Sequence, residues 1–205
     1  MLEYETGESA QGEVYLERLL EAMRLARPGA SVRVSIGITA IARITGVPDR
    51  LEIAEAAAEA VFSRQSVAPR IAVDAKAALA LLAVQKGDQS AAAEHYVYLQ
   101  GQRGTMVETV TSVDRLLGHL SQTMGNLDQA AAHFEDALAF CRKAGYRPEL
   151  AWTCCDYADL LRERDAEGDR AKAMSLLDES LSISSELGMR PLMERVLSRR
   201  ETLGA

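Results

Sequence analysis

Apolar residues return every three or four positions along most of this chain, the spacing that lines one face of an α-helix. From Val14 to Ala26 the pattern runs through Val14, Leu16, Leu19, Leu20, Met23 and Leu25, and Pro28-Gly29 ends it. The stretch that follows is ambiguous. Val32, Val34, Ile36 and Ile38 alternate with Arg33, Ser35, Gly37 and Thr39, as in a strand, yet Val34, Ile38, Ile41 and Thr45 also fit helical spacing. A helix is the consistent choice, because a lone strand among helices has no partner. Further helices are predicted from Pro48-Asp49 through Phe62, over Val67–Gln85, Gln89–Gln100, Thr105–Met124, Leu127–Ala144, Glu149–Arg164, Ala171–Leu187 and Pro191–Leu203. Residues 1–10 read as a flexible tail, and 11–205 as one helical domain.

A short phrase recurs between these helices. Gly87-Asp88 leads into Gln89–Tyr96, Gly125-Asn126 into Leu127–Phe134, and Gly168-Asp169 into Arg170–Leu177; the glycines lie 38 and then 43 residues apart. A near-constant period of this length marks stacked helical pairs, since one pair cannot bury both of its apolar faces alone. Pairing the helices gives about four hairpins, 30–45 with 48–65, 67–86 with 88–101, 105–124 with 127–144, and 148–165 with 170–187. One helix flanks the array at each end. The expected architecture is all-α, a curved right-handed solenoid.

The third hairpin carries a family resemblance. Leu117-Gly118, the Gly125-Asn126 turn, then Ala130, Phe134 and Ala137 resemble the tetratricopeptide pattern, in which a small residue lets two helices touch and an aromatic fills the groove. The second hairpin offers Leu79-Ala80, Gly87-Asp88, Ala92 and Tyr96, and the fourth Tyr157-Ala158, Gly168-Asp169, Ala173 and Leu177. With its long helices and segments such as Glu149–Thr153 and Leu187–Leu192, the chain is similar to the C-terminal helical-repeat arms of large bacterial signalling ATPases, nucleotide cyclases and helix-turn-helix regulators. That resemblance implies a non-catalytic scaffold or sensor in bacterial signal transduction or transcription control, binding a protein or peptide. A small effector acting on an attached ATPase or cyclase is the alternative. The phosphate loop Gly-x-x-x-x-Gly-Lys-Ser/Thr of such ATPases does not occur in this sequence.

Composition narrows the function classes. Hydrophobic residues make up 48% and aromatics only 5%, with alanine supplying much of the apolar content. Alanine favours helices and lets them approach closely; its flat faces are also compatible with a homodimer. The net charge of −7 argues against direct nucleic-acid binding, which draws on a basic surface. Arg195, Arg199 and Arg200 read as a solvated helix end. No segment is long and apolar enough to read as a membrane span. The first residues carry no apolar signal core, and three cysteines, two of them adjacent, fit a reducing compartment, so a cytoplasmic location is expected.

Candidate chemistry is sparse. His133 and Cys141 on one helix, with Cys154 and Cys155 on the next, could present zinc ligands, but Cys-x-x-Cys and His-x-x-x-His pairs are lacking; packing is the simpler reading. His95, His119 and His133 fall on three different helices, and Asp156, Asp159 and Glu163 read as a solvated face paired with neighbouring arginines. No enzyme, metal or cofactor is expected; a metal- or cysteine-dependent enzyme is the remote alternative. A partner groove is expected along the first helices of the hairpins, at Asp74, Arg115, His119, Gln122, Trp152, Asp159 and Arg162, with Arg115, His119, Trp152 and Arg162 at least partly exposed on one concave side. Arg115 and Trp152 stand out there because arginine and aromatic anchors dominate interface energetics. Interhelical packing is the other reading of Trp152.

Overall fold

The computed structural model describes residues 1–26, 29–63 and 66–204. Pro28 of the predicted helix stop and the last two residues of the 48–65 segment lie outside them. Eleven α-helices form among the described residues: α1 (Leu2–Glu5), α2 (Ser9–Arg24), α3 (Ala30–Thr45), α4 (Leu51–Phe62), α5 (Pro69–Lys86), α6 (Gln89–Leu99), α7 (Val113–Thr123), α8 (Leu127–Ala144), α9 (Arg147–Arg164), α10 (Asp169–Leu187) and α11 (Arg190–Gly204). A two-stranded antiparallel ribbon, β1 (Met106–Val107) with β2 (Thr111–Ser112), precedes α7. The protein is all-α apart from this ribbon. Among the described residues no helix is long and apolar enough to cross a membrane.

The first of the repeated turns is capped at both ends. Gly87 closes α5 in the left-handed conformation, which costs glycine nothing, and the Asp88 carboxylate caps α6 by accepting the Ala91 N–H at 3.0 Å. Each helix then packs on the next: α3 on α4, α5 on α6, α7 on α8, α9 on α10. Alternate helices also meet, α3 with α5 and α5 with α7, while α11 returns to touch both α9 and α3. Consequently α3, α5, α7, α9 and α11 share an inner side.

At the α7–α8 contact, Phe134 is fully buried and lies against the bare backbone of Gly118, where a Cβ would sit only 3.0 Å from the ring. The same ring stacks on Tyr157 of α9, centroids 5.5 Å apart. Leu138 is buried in the same core as these rings, while Leu116, Leu117 and Leu120 of α7 are buried in the neighbouring core with Ala92 and Leu99, each contributing on the order of 1.5–3 kcal/mol by leaving water. Tyr96, expected to be the equivalent of Phe134, is only half-buried and donates or accepts through its hydroxyl with His133 Nε2 at 2.8 Å.

Residues 32–39 are helical, as chosen. Two expectations are corrected. The helix predicted from Thr105 begins at Val113, because Thr105–Ser112 turns back on itself as the ribbon. Its β-branched Val107, Val110 and Thr111 favour that pleated form, and Glu108, at φ 48°, makes the left-handed bend between the strands. Residues 1–10, read as a flexible tail, hold α1 and the start of α2. The physical reason is Tyr4, whose buried ring is received by the bare helix at Gly12 and whose hydroxyl donates to Glu13 Oε1 at 2.6 Å.

Candidate functional site

The inner side gathers charge rather than opening a groove. From α7, Arg115 and His119 sit one turn apart on one face; from α9, Glu149 and Asp156 sit two turns apart on the facing side. The Arg115 guanidinium donates from Nη1 to Glu149 Oε2 at 2.7 Å and from Nε to Asp156 Oδ2 at 2.8 Å. Arg43 of α3 reaches the same carboxylate oxygen at 2.7 Å, and His119 Nε2 approaches it at 2.8 Å. Glu149 Oε1 also accepts the Ser112 N–H, at 2.6 Å, and the Thr111 hydroxyl, tying the ribbon to the cluster.

These groups are buried, which fixes their protonation. Burial alone would favour a neutral Asp156, but Arg115, Arg43 and His119 outweigh it and hold its carboxyl well below the usual range. Burial opposes the Arg115 charge too, and Asp156 and Glu149 more than restore it. Arg43 is brought down to about 10, first by burial. His119 falls to about 4, through burial and then the Arg43 charge, so its imidazole is neutral at neutral pH. A neutral ring beside this carboxylate donates from Nε2 to Asp156, which leaves the 2.8 Å approach of Arg43 Nη2 to that nitrogen as a close contact.

Trp152 completes the arrangement. Its ring receives two guanidinium groups, Arg195 of α11 at 4.9 Å and Arg115 at 5.8 Å from the centroid. Its indole N–H points at Glu5 of α1, 2.9 Å from Oε2 and 3.1 Å from Oε1. Arg195 Nη2 donates to the carbonyls of Arg43 and Ile44 at the end of α3. Beside this cluster is a cavity of about 40 Å³ reached by Met1, Glu5, Val110 and Trp152. A cleft of about 210 Å³ follows, between α2, α3 and the ribbon tip, lined by Tyr15, Leu19, Ile36, Ile41 and Val110 with Arg33 and Glu108.

The predicted groove residues are therefore divided. Arg115 (4% exposed), His119 (9%) and Trp152 (4%) do come together, but inside the protein, so the expectation that they face solvent is corrected. The cause is the return of α11 to α3 and the seating of α1, which cover the inner side. Asp74 is also buried, paired with Arg70 at 3.1 Å near the ribbon and apart from the cluster. Gln122 donates to Glu163, and Asp159 is half-buried against Arg199 of α11. Arg162 stands in solvent. Asp156, read as part of a solvated face, is the hub of the cluster, and Arg195, read as a solvated helix end, is half-buried on Trp152.

Sequence reasoning missed Arg43, Glu149, Asp156, Arg195 and Glu5. One signal was present: Arg43 lies in an otherwise apolar turn, Ala40-Ile41-Ala42-Arg43-Ile44, where a charge needs a buried partner.

Cys141, Cys154 and Cys155 are all buried and free, with burial pushing Cys141 and Cys155 up to about 12 and Cys154 further. Thiols held protonated in this way are poor nucleophiles and metal ligands. His133, instead, falls near Asp114 and Asp136, with potential ligand atoms within 4.8 Å of one another. The Arg103 guanidinium already donates to both carboxylates, which makes that cluster an ion-paired clasp for the loop before the ribbon.

No protein-family model and no curated protein matches the chain. Among solved structures, the crystal structure of BtubC (BKLC) from P. vanneervenii aligns with 100% of this chain and 90% of its own, at 14% identity and a TM-score of 0.55. At that identity the likeness concerns the fold alone.

Proposed function

We propose that this chain is a tetratricopeptide-like module, a right-handed α-solenoid of about four helical hairpins, that binds a protein or peptide segment and performs no chemistry. The observation that carries the reading is the repeated unit itself. Helix pairs joined at Gly87, Gly125 and Gly168 stack in order, with Phe134 over Gly118 as the pattern's small-against-aromatic contact. A non-catalytic role is favoured because the inner polar groups are engaged with one another and the thiols are held protonated. The setting suggested by the long helices is a cytoplasmic regulator of bacterial signalling or transcription.

The cleft beside Arg33, Tyr15 and Val110 is where such a partner would lie, and its mixture of apolar walls and single charges suits a peptide side chain. The same dimensions admit a small effector, which is the second reading. Selection of a random peptide library on the full chain distinguishes them. A binding module yields a consensus whose affinity drops at least tenfold in Val110→Asp or Arg33→Glu chains. Absence of any consensus, with thermal stabilisation by members of a metabolite set, favours the effector reading instead.

A further inference from the structure

We infer that the seat of α1 is a docking site for a short acidic helical turn carrying a tyrosine and a glutamate in succession, and that α1 is its resident occupant. This rests on the binding-module reading and adds to the Val110 cleft a second place, the seat of α1, with its own partner chemistry.

Every recognition element of such a site is in place. Gly12 of α2 offers bare helix backbone where a Cβ would come within 2.5 Å of the Tyr4 ring, so only glycine leaves room for an aromatic there. Glu13, held at 3.1 Å by Arg50, accepts the tyrosine hydroxyl. The Trp152 N–H donates to the glutamate carboxylate, and Arg190 Nε donates to the carbonyl of Thr6 at 2.6 Å, a backbone contact open to any sequence. Met1, one turn before Tyr4 and Glu5, lines the small cavity beside Val110 and Trp152. Phenol, carboxylate and backbone are thus each read by a separate residue from α2, α9 and α11.

Charge complementarity sets the class of occupant. Without Glu5 the inner side presents Arg43, Arg115 and Arg195 against two carboxylates, Glu149 and Asp156. One further anion balances it. Glu5 is a costly supplier of that charge: burial outweighs the Trp152 hydrogen bond and the Arg115 field, raising its pKa. An occupant of four helical residues, held at a cost, is displaceable by a partner offering the same groups with more apolar contact.

The test uses the full chain with a synthetic peptide of its own residues 1–8, read by fluorescence of Trp152, the single tryptophan. In the unaltered chain the tethered α1 competes at an effective millimolar concentration, so micromolar peptide leaves the signal unchanged. A Tyr4→Ala/Glu5→Ala chain should bind the peptide saturably and at least tenfold more tightly than the unaltered chain. Adding Gly12→Ala to that chain should abolish binding, and a peptide lacking the Glu5 carboxylate should bind at least tenfold more weakly. Glu5→Ala alone serves if the double variant loses its helical circular dichroism. The inference is overturned if a folded, α1-altered chain binds the peptide no better than the unaltered one, or if Gly12→Ala leaves binding intact. Either result leaves the library selection at the Val110 cleft, and the module reading with it, standing.

Discussion

Helix α7 is held on two sides by opposite means. Toward α8 it offers Gly118, against which the Phe134 ring packs with no polar atom involved. Toward α9 it offers Arg115 and His119, which meet Glu149 and Asp156 in a buried ion-paired cluster. His119 joins the two regimes, its ring edge-on to Phe134 at 5.2 Å while its Nε2 reaches Asp156. The apolar side gains stability from area and shape and tolerates gradual change. The charged side gains little net stability when complete, because desolvation offsets the Coulomb attraction, but loses heavily when one member is removed. It fixes which helices face one another: Arg43 can satisfy Asp156 only if α3 lies across from α9.

The sharpest way to break this comparison is at its hub. Asp156→Ala strips Arg43 and Arg115 of a shared acceptor and leaves buried cations behind, so about 3–5 kcal/mol of stability should be lost. Denaturant unfolding of the variant measures it. A loss under about 1 kcal/mol would mean that water reaches the cluster and that the inner side is open after all.

Phe134→Ala probes the other side of α7. Removing a fully buried phenylalanine costs about 3–5 kcal/mol, part of it for the cavity left between Gly118 and Tyr157. The two variants should differ in rescue rather than size. Phe134→Leu should recover much of the loss, since shape and area suffice there, whereas Asp156→Asn should recover little, because the negative charge itself is what the arginines need.

That difference also explains what could be read from the chain. Apolar periodicity located α3 to α6 and α8 to α11 to within a few residues and found α2 without its first turn. It left 32–39 ambiguous, because both faces of that segment are buried, which hides the helical stripe behind a strand-like alternation; the lack of a partner strand decided for helix. Periodicity is blind to charges that bury one another. Asp156 and Arg195 looked like solvent-facing residues because charged side chains usually are, and their partners lie on helices far away in sequence. The ribbon escaped because Val107, Val110 and Val113 happen to keep helical spacing. Helix α1 escaped because four residues are too few to show a period; only the pairing of Tyr4 with Gly12 marks it, and that is a tertiary contact.

Acid should separate the regimes next. His119 takes its proton only near pH 4 when folded, against about 6.5 when free, so the unfolded chain binds more protons in that window and stability falls as pH drops through it. His95 and His133, lowered mainly by burial, act in the same direction. Asp156, held well below 3.8, adds its loss only at lower pH. Glu5 and Asp159, raised by burial, work oppositely and are relieved by protonation. The melting midpoint of the unaltered chain should therefore decline from pH 6.5 toward 4, and the decline should be shallower in His119→Gln. A slope unchanged by that substitution would place the acid sensitivity elsewhere.

The smallest effect is expected nearly two turns beyond the cluster, where the comparison can be sharpened on a single helix. Arg162 and Asp156 both lie on α9, but Arg162 is exposed, and its nearest carboxylate, Asp159, is 3.8 Å away and already bonded to Arg199. An exposed pair of this geometry is worth at most a few tenths of a kcal/mol, so Arg162→Ala should change stability by less than about 0.5 kcal/mol. The same change should be insensitive to salt, because Arg199 remains to balance Asp159. Thermal melts at low and high ionic strength check both statements. A loss as large as that of Asp156→Ala would show that the charged network extends along α9 to solvent, and that the boundary drawn here between buried and exposed charge is in the wrong place.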